Sequence, residues 1–127
     1  MKLLLDTHIF LWFISADTQL PQKVRDATRD SDNEVYLSAI SVWEVIVKYQ
    51  LGKFSLPESP EIYLPKQRDL HQISSLPFNE TSVIQLAKLP PLHRDPLDRM
   101  LVCQALQHNL TIATVDPIVR AYPVNFI

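Results

Sequence analysis

Five acidic side chains in this 127-residue chain stand where they can do chemistry together: Asp6, Glu44, Asp95, Asp98 and Asp116. Asp6 directly follows the apolar stretch Leu3-Leu4-Leu5, and Asp116 closes the stretch from Leu110 to Thr114. If both stretches are strands of one parallel sheet, both acids project from its carboxyl edge, where ligand sites of such sheets form. Each also suits a plain structural role. Aspartate is a good helix N-cap, and Pro117 at the first helical position fits a cap at Asp116. Glu44 lies in Ala39-Ile-Ser-Val-Trp-Glu-Val-Ile-Val-Lys48, apolar nearly all round and therefore largely buried. Only Ser41, Glu44 and Lys48 break that pattern, and their spacing places them on one narrow stripe. The stripe reads either as an exposed face with a Glu44–Lys48 pair or as a carboxylate turned into a polar site. Asp95-Pro-Leu-Asp98-Arg99 reads as helix-start design, with Asp95 as cap, Pro96 at N1, Asp98 favoured by the helix dipole and an Asp95–Arg99 pair. It also places Asp98 near the same edge.

Carboxylates brought this close repel and raise one another's pKa unless a cation sits among them. Hard oxygen donors with no Cys or His cluster suit Mg²⁺ or Mn²⁺. Such a centre polarises a phosphate, lowers the pKa of a bound water and stabilises a leaving oxygen. His93, in the loop before Asp95, reads as a local hydrogen-bonding residue and secondarily as a substrate contact.

The elements that must position these acids follow from hydrophobic pattern and punctuation. Strands are expected at Lys2–Leu5, Val35–Leu37, Gln72–Leu76, Leu110–Thr114 and Val124–Ile127. Helices are expected at Thr7–Ile14, from Pro21 through Ala27, at Ala39–Leu51 with Ser38 as N-cap and Gly52 at C′, and at Ile62–Asp69. Further helices are expected from Asn79 to Lys88, from Asp95-Pro96 to His108, and briefly after Asp116-Pro117. Short apolar strands alternating with helices predict a parallel sheet covered on both faces, a three-layer α/β/α sandwich.

Length fits one domain, residues 1–127, with no room for two. Hydrophobic residues make up 46% and charged ones 20%, an ordinary globular balance. No apolar run approaches the ~20 residues of a membrane span, and a charge follows three leucines at the N-terminus, which argues against a signal peptide. The single cysteine, Cys103, excludes an internal disulfide and suits the cytoplasm. Net charge is −2 with Lys and Arg scattered. A nucleic-acid partner is therefore gripped locally or across a dimer rather than along a basic stripe.

These segments resemble known ones. Leu-Leu-Leu-Asp6-Thr7-His8 is similar to the opening of PIN domains, especially VapC-like toxins, and Ser38-Ala-Ile-Ser41-Val-Trp-Glu44 resembles that family's second motif. His93-Arg94-Asp95-Pro96-Leu97-Asp98-Arg99-Met100-Leu101 is similar to a signature of one VapC subgroup, and Leu110-Thr-Ile-Ala-Thr114-Val-Asp116 resembles the fourth motif. The resemblance covers essentially the whole chain. It implies a single PIN-like nuclease domain: an Mg²⁺- or Mn²⁺-dependent endoribonuclease, the toxin of a toxin–antitoxin pair. Its partners would be an RNA substrate, a cognate antitoxin protein and a second copy of the chain. The matching metal positions are Asp6, Glu44, Asp98 and Asp116, with Asp95 as an extra ligand or supporting acid. Thr7, Ser41 and Thr114 would orient carboxylates or water. Arg94 and Arg99 would meet phosphate or pair with Asp95 or Asp98. The reaction implied is direct hydrolysis of an RNA phosphodiester, with Glu44 and Asp98 as metal holders rather than general bases.

Three rival readings are weighed against it. A receiver-type signalling domain needs a paired acid after the first strand and a late lysine, but Thr7 and His8 follow Asp6 and no lysine follows Lys88. A haloacid-dehalogenase-type phosphatase wants an aspartate two after the first, where His8 stands. A non-catalytic PIN scaffold would not need all four acids.

Overall fold

The computed structural model describes residues 1–127. Its five strands are β1 (Lys2–Leu5), β2 (Glu34–Ser38), β3 (Ser74–Leu76), β4 (Thr111–Ala113) and β5 (Asn125–Phe126). They form one sheet in the order β3-β2-β1-β4-β5, every pairing parallel. Six helices accompany them: α1 (Thr7–Ile14), α2 (Gln22–Arg29), α3 (Ala39–Gln50), α4 (Pro60–Leu70), α5 (Glu80–Ile84) and α6 (Pro96–His108).

The run Leu3-Leu4-Leu5 shows why this sheet needs two covers. Successive side chains of a strand point to opposite faces. Leu3 and Leu5 pack into one core with Ile9, Phe10, Val24, Val45 and Leu64, from α1 to α4. Leu4 packs into the other with Leu101, Val102 and Ala105 of α6, together with Val119 and Tyr122. All three leucines are fully buried. The predicted three-layer α/β/α sandwich is the observed architecture.

Central β1 brings distant parts of the chain to one edge. It pairs with β2 in the register Leu4↔Tyr36 and with β4 in the register Leu5↔Ala113. The Asp6 amide extends the second ladder by donating to the Ala113 carbonyl at 3.0 Å. Asp6 is thus fixed beside the residues that follow β4.

Helix α3 begins and ends as its sequence predicts. The Ser38 hydroxyl accepts from the Ile40 amide at 3.0 Å. At the other end Gly52 adopts φ +74°, the Gly52 amide returns to the Tyr49 carbonyl and the Lys53 amide to the Lys48 carbonyl, a Schellman closure. The strand expected from Gln72 begins only at Ser74, with Gln72 itself at φ +56°, and three helical expectations shift. Helix α4 starts earlier, with Pro60 at its first turn, and carries Pro65 inside. The helix capped by Asn79 is α-helical only to Ile84 and continues as a 3₁₀ turn over Gln85–Lys88. After Asp116 there is a single 3₁₀ turn, Val119–Ala121, rather than a short α-helix. Pro123 holds Tyr122 in extended backbone, and Arg120 folds back to donate twice to the Thr114 carbonyl at 3.1 and 2.9 Å.

Leu4 tests the two-sided core. Leu4→Ala should cost about 2–5 kcal/mol, lowering the urea midpoint with no change in m-value. A midpoint within error of wild type would show that the α6 face packs loosely against the sheet.

Candidate functional site

Asp6, Glu44, Asp95, Asp98 and Asp116 line one cleft of about 310 Å³, whose remaining walls are His8, Trp12, Lys48 and Val115. Four separate segments deliver the acids. Asp6 is held at the end of β1, Glu44 stands in the middle of α3, Asp95 and Asp98 open α6, and Asp116 follows β4.

Each acid meets a specific donor. The Thr114 hydroxyl donates to Asp6 Oδ2 at 2.7 Å. Lys48 Nζ donates to Glu44 Oε2 at 2.6 Å, with the Glu44 side chain only 8% exposed. Ser41 and Glu44 are buried, so the polar stripe of α3 faces inward. The Glu44–Lys48 pair exists, but as part of the cleft wall rather than on an open face. Asp95 Oδ1 accepts from the Leu97 amide at 2.9 Å, the N-cap of α6. Asp116 Oδ1 accepts from the Ile118 amide at 2.8 Å.

His93 is the hub that the sequence understates. Its Nε2 lies 2.9 Å from Asp116 Oδ2 and 3.1 Å from Asp98 Oδ2. Its Nδ1 accepts from the Asp95 amide at 3.0 Å, and its own amide donates to the Tyr122 hydroxyl at 2.8 Å. A backbone N–H aimed at Nδ1 assigns the ring hydrogen to Nε2, which donates it to Asp116 Oδ2 and lies in close contact with Asp98 Oδ2. The ring and carboxylate atoms of His93, Asp98 and Asp116 lie within 4.8 Å of one another, the spacing of a metal-ligand triad. The Nε2 hydrogen makes His93 a partner of the acids rather than a ligand beside them. Burial lowers the imidazole pKa, but the Asp116 hydrogen bond and the charges of Asp98, Asp116 and Asp95 outweigh it and raise it overall. An added proton at Nδ1 would face the Asp95 N–H, which works against that rise.

Two of the acids show the electrostatic cost of convergence. Burial, then the charges of Asp6 and Asp95, push Asp98 up to about 7 from 3.8, with Glu44 adding to the rise and His93 opposing it. Asp6 is also raised, chiefly by burial, against the Thr114 and Thr7 hydrogen bonds and nearby His8. Asp116 moves the other way: burial is its largest influence and raises it, but the His93 and Ile118 hydrogen bonds win. An all-oxygen donor set with a crowded, ionisation-resistant carboxylate at its centre suits a hard divalent cation.

The remaining expected site residues divide. Thr114 orients Asp6, as expected, and also accepts from the Asp116 amide at 3.0 Å. The Thr7 and Ser41 side chains do not reach the carboxylates; the Thr7 hydroxyl donates to Ser41 Oγ at 2.9 Å, a buried bolt between α1 and α3. Asp6 occupies the N-cap position of α1, but its carboxylate makes no capping bond there. The expected Asp95–Arg99 pair does not form, because Asp95 is turned to its Leu97 cap while the Arg99 charge acts on Cys103 one turn later. Arg94 is exposed, and neither arginine lines the cleft or pairs with an acid.

A second, apolar groove of about 430 Å³ adjoins the first and shares His8 and Trp12 with it. Leu11, Ile14, Phe54 and Tyr63 supply most of its walls.

The PIN domain family profile matches residues 3–125. The chain belongs to the PIN-domain family. A 43-residue stretch is 40% identical to the ribonuclease VapC16 of Mycobacterium tuberculosis, covering 34% of this chain and 30% of that relative. This PIN domain therefore matches under a third of that relative's length. Similar folds occur in solved toxin–antitoxin assemblies. Rickettsia felis VapBC2, bound to a promoter DNA fragment, superposes with TM-score 0.70 at 16% identity, over 100% of this chain and 98% of that one. DNA-bound VapBC of Salmonella typhimurium gives 0.69 at 19%, over 100% and 97%. FitAcB of Neisseria gonorrhoeae gives 0.64 at 23%, over 98% and 96%.

The Asp98 shift sets a pH dependence. Its folded pKa lies above the unfolded one, so the contribution favouring the folded state is present below pH ~4 and is lost as pH rises through about 7. In EDTA, Asp98→Asn should therefore melt above wild type, by a margin that widens from pH 5 to pH 8 and then levels off. A margin that does not change with pH would show that Asp98 is not crowded by its neighbours.

Proposed function

We propose that this PIN domain, residues 1–127 acting as one unit, is an endoribonuclease that hydrolyses RNA phosphodiester bonds with the help of Mg²⁺ or Mn²⁺. The observation that carries this reading is the set of carboxylates from four segments lining one cleft. Asp6, Glu44 and Asp98 are the principal holders of the ion, with Asp116 and the capping Asp95 at their side. When bound, such an ion stabilises charge on the scissile phosphate and acidifies water. The chain's own residues keep the acids in place: Thr114 holds Asp6, Lys48 holds Glu44, His93 holds Asp116, and Asp98 lies against the same imidazole. No serine or cysteine nucleophile is required, and Cys103 is buried in the α6 core.

The catalytic test is direct. Asp6→Asn and Asp98→Asn should each abolish RNA cleavage that depends on Mg²⁺ or Mn²⁺, while far-ultraviolet circular dichroism stays unchanged. Full activity of the wild-type protein in EDTA would sink the metal mechanism.

We also propose that the protein is a toxin restrained by a cognate antitoxin protein, and that it works in the cytoplasm as a homodimer. The apolar groove supports the first half. Helix α1 carries more apolar surface than one face can bury: Ile9 and Phe10 fill the core, while Leu11, Trp12 and Ile14 line the groove. An amphipathic segment of the antitoxin fits there. Val83, Ile84 and Leu86, exposed on α5 and the 3₁₀ turn after it, support a second, separate contact face for the homodimer. No helix is long and apolar enough to cross a membrane. Co-expression with the protein encoded beside it should yield a stable complex in which RNA cleavage is suppressed. A protein that stays monomeric and copurifies with no small partner would overturn the assembly proposal without touching the nuclease one.

A further inference from the structure

We infer that Asp116 serves the site through His93 rather than as a direct ligand of the cation, and that His93 is the positioning residue for Asp98. This inference rests on the metal-dependent reading above and assigns separate tasks to its acids.

The hydrogen-bond pattern separates Asp116 from the other three. Asp6 and Glu44 each accept a side-chain hydrogen bond through one oxygen only, Oδ2 from Thr114 and Oε2 from Lys48, and Asp98 meets only the His93 ring edge, its Oδ2 lying 3.1 Å from Nε2. Each can turn its other oxygen to a cation without giving up that contact. Both oxygens of Asp116 are engaged, Oδ2 by His93 and Oδ1 by the Ile118 amide that pins it to its own loop. Asp116 is also the more open acid, its side chain 29% exposed against 17% for Asp98. It stands on the outer side of the imidazole and Asp98 on the inner.

His93 has the build of a fixed strut. Tyr122 holds its backbone amide, the Asp95 amide holds Nδ1, and Nε2–H is donated to Asp116 while the same ring edge lies 3.1 Å from Asp98. The tautomer is set by Asp95 and the ring plane by Asp116, so the ring edge that Asp98 Oδ2 lies against at 3.1 Å is fixed by both. Removing an outer partner of this kind costs metal affinity less than removing the ligand it orients. Residues that act through one another also lose energy non-additively.

The test is a double-mutant cycle on the whole chain, read as the dissociation constant for Mn²⁺ by electron paramagnetic resonance at fixed pH. Asp98→Asn should lose binding altogether. His93→Ala and Asp116→Asn should each weaken it roughly 10- to 100-fold, and the double variant should be no weaker than His93→Ala alone. His93→Gln, whose amide N–H reaches the place of Nε2–H, should restore affinity to within about threefold of wild type. Melting curves in EDTA check that each variant folds, and His93→Gln keeps the test alive if His93→Ala does not. Asp116→Asn losing as much as Asp98→Asn, additivity in the double variant, or unchanged affinity in His93→Ala would each overturn the inference while leaving the nuclease reading intact. A wild-type chain that binds no Mn²⁺ would overturn the metal reading itself, and this inference with it.

Discussion

Like charge crowded into a small, half-dry cleft is the constraint around which this molecule is arranged. Carboxylates from four segments share one cavity, and at the burial of Asp98 their mutual repulsion is not screened away. Folding has to hold them there against that repulsion. The chain does so by giving each acid a donor with a fixed position: a hydroxyl for Asp6, an ammonium for Glu44, an imidazole shared by Asp98 and Asp116, and backbone amides for Asp95 and Asp116. None of these donors neutralises the cluster. Lys48 is the only lysine or arginine among the cleft-lining side chains.

Magnitudes decide how Asp98 behaves. It sits in the first turn of α6, where the helix dipole favours a negative charge by roughly 0.3–1 kcal/mol. An acid held near 7 instead of 3.8 is disfavoured in its charged form by on the order of 4 kcal/mol, so burial and neighbouring acids overwhelm the dipole. Read as helix-start design alone, Asp98 should be an easily ionised residue. The sheet forbids that. Parallel pairing of β1 with both β2 and β4 puts Asp6, the start of α3 and the loop after β4 on one edge, and α6 packs across the same end. The two separate cores on either side of Leu3, Leu4 and Leu5 keep that edge from giving way.

What was legible in the sequence was whatever depends on local pattern. The unbroken apolar run at β1 could only be a doubly covered strand. Ser38 and Gly52 bracket α3 through hydrogen bonds made within a few residues of each cap. The acids were legible by type and by their places at element ends. What was not legible depends on side-chain direction across distant segments. Thr7 and Ser41 are 34 residues apart and satisfy each other in the core, a pairing that no spacing rule predicts. Arg99 has Asp95 at ideal helical spacing, yet loses it to a cap on the same turn. His93 carried one usable signal, its position two residues before the α6 cap. Its contact with Asp116 spans 23 residues and emerges only when β4 lies beside β1.

The two adjoining cavities couple the apolar chemistry of α1 to the polar chemistry of the acids. His8 and Trp12 belong to both, with ring centroids 6.1 Å apart, and His8 also meets the edge of Phe54 at 6.3 Å. Lys48 bridges them from α3: its ammonium is bonded to Glu44 on the acid side and lies 5.7 Å over the Phe54 ring on the groove side. A cation near an aromatic face is drawn to it, by roughly 0.5–1 kcal/mol where exposed and more where dry. Any occupant that shifts Phe54 or Trp12 therefore alters the surroundings of Lys48, and through it the charge that holds Glu44.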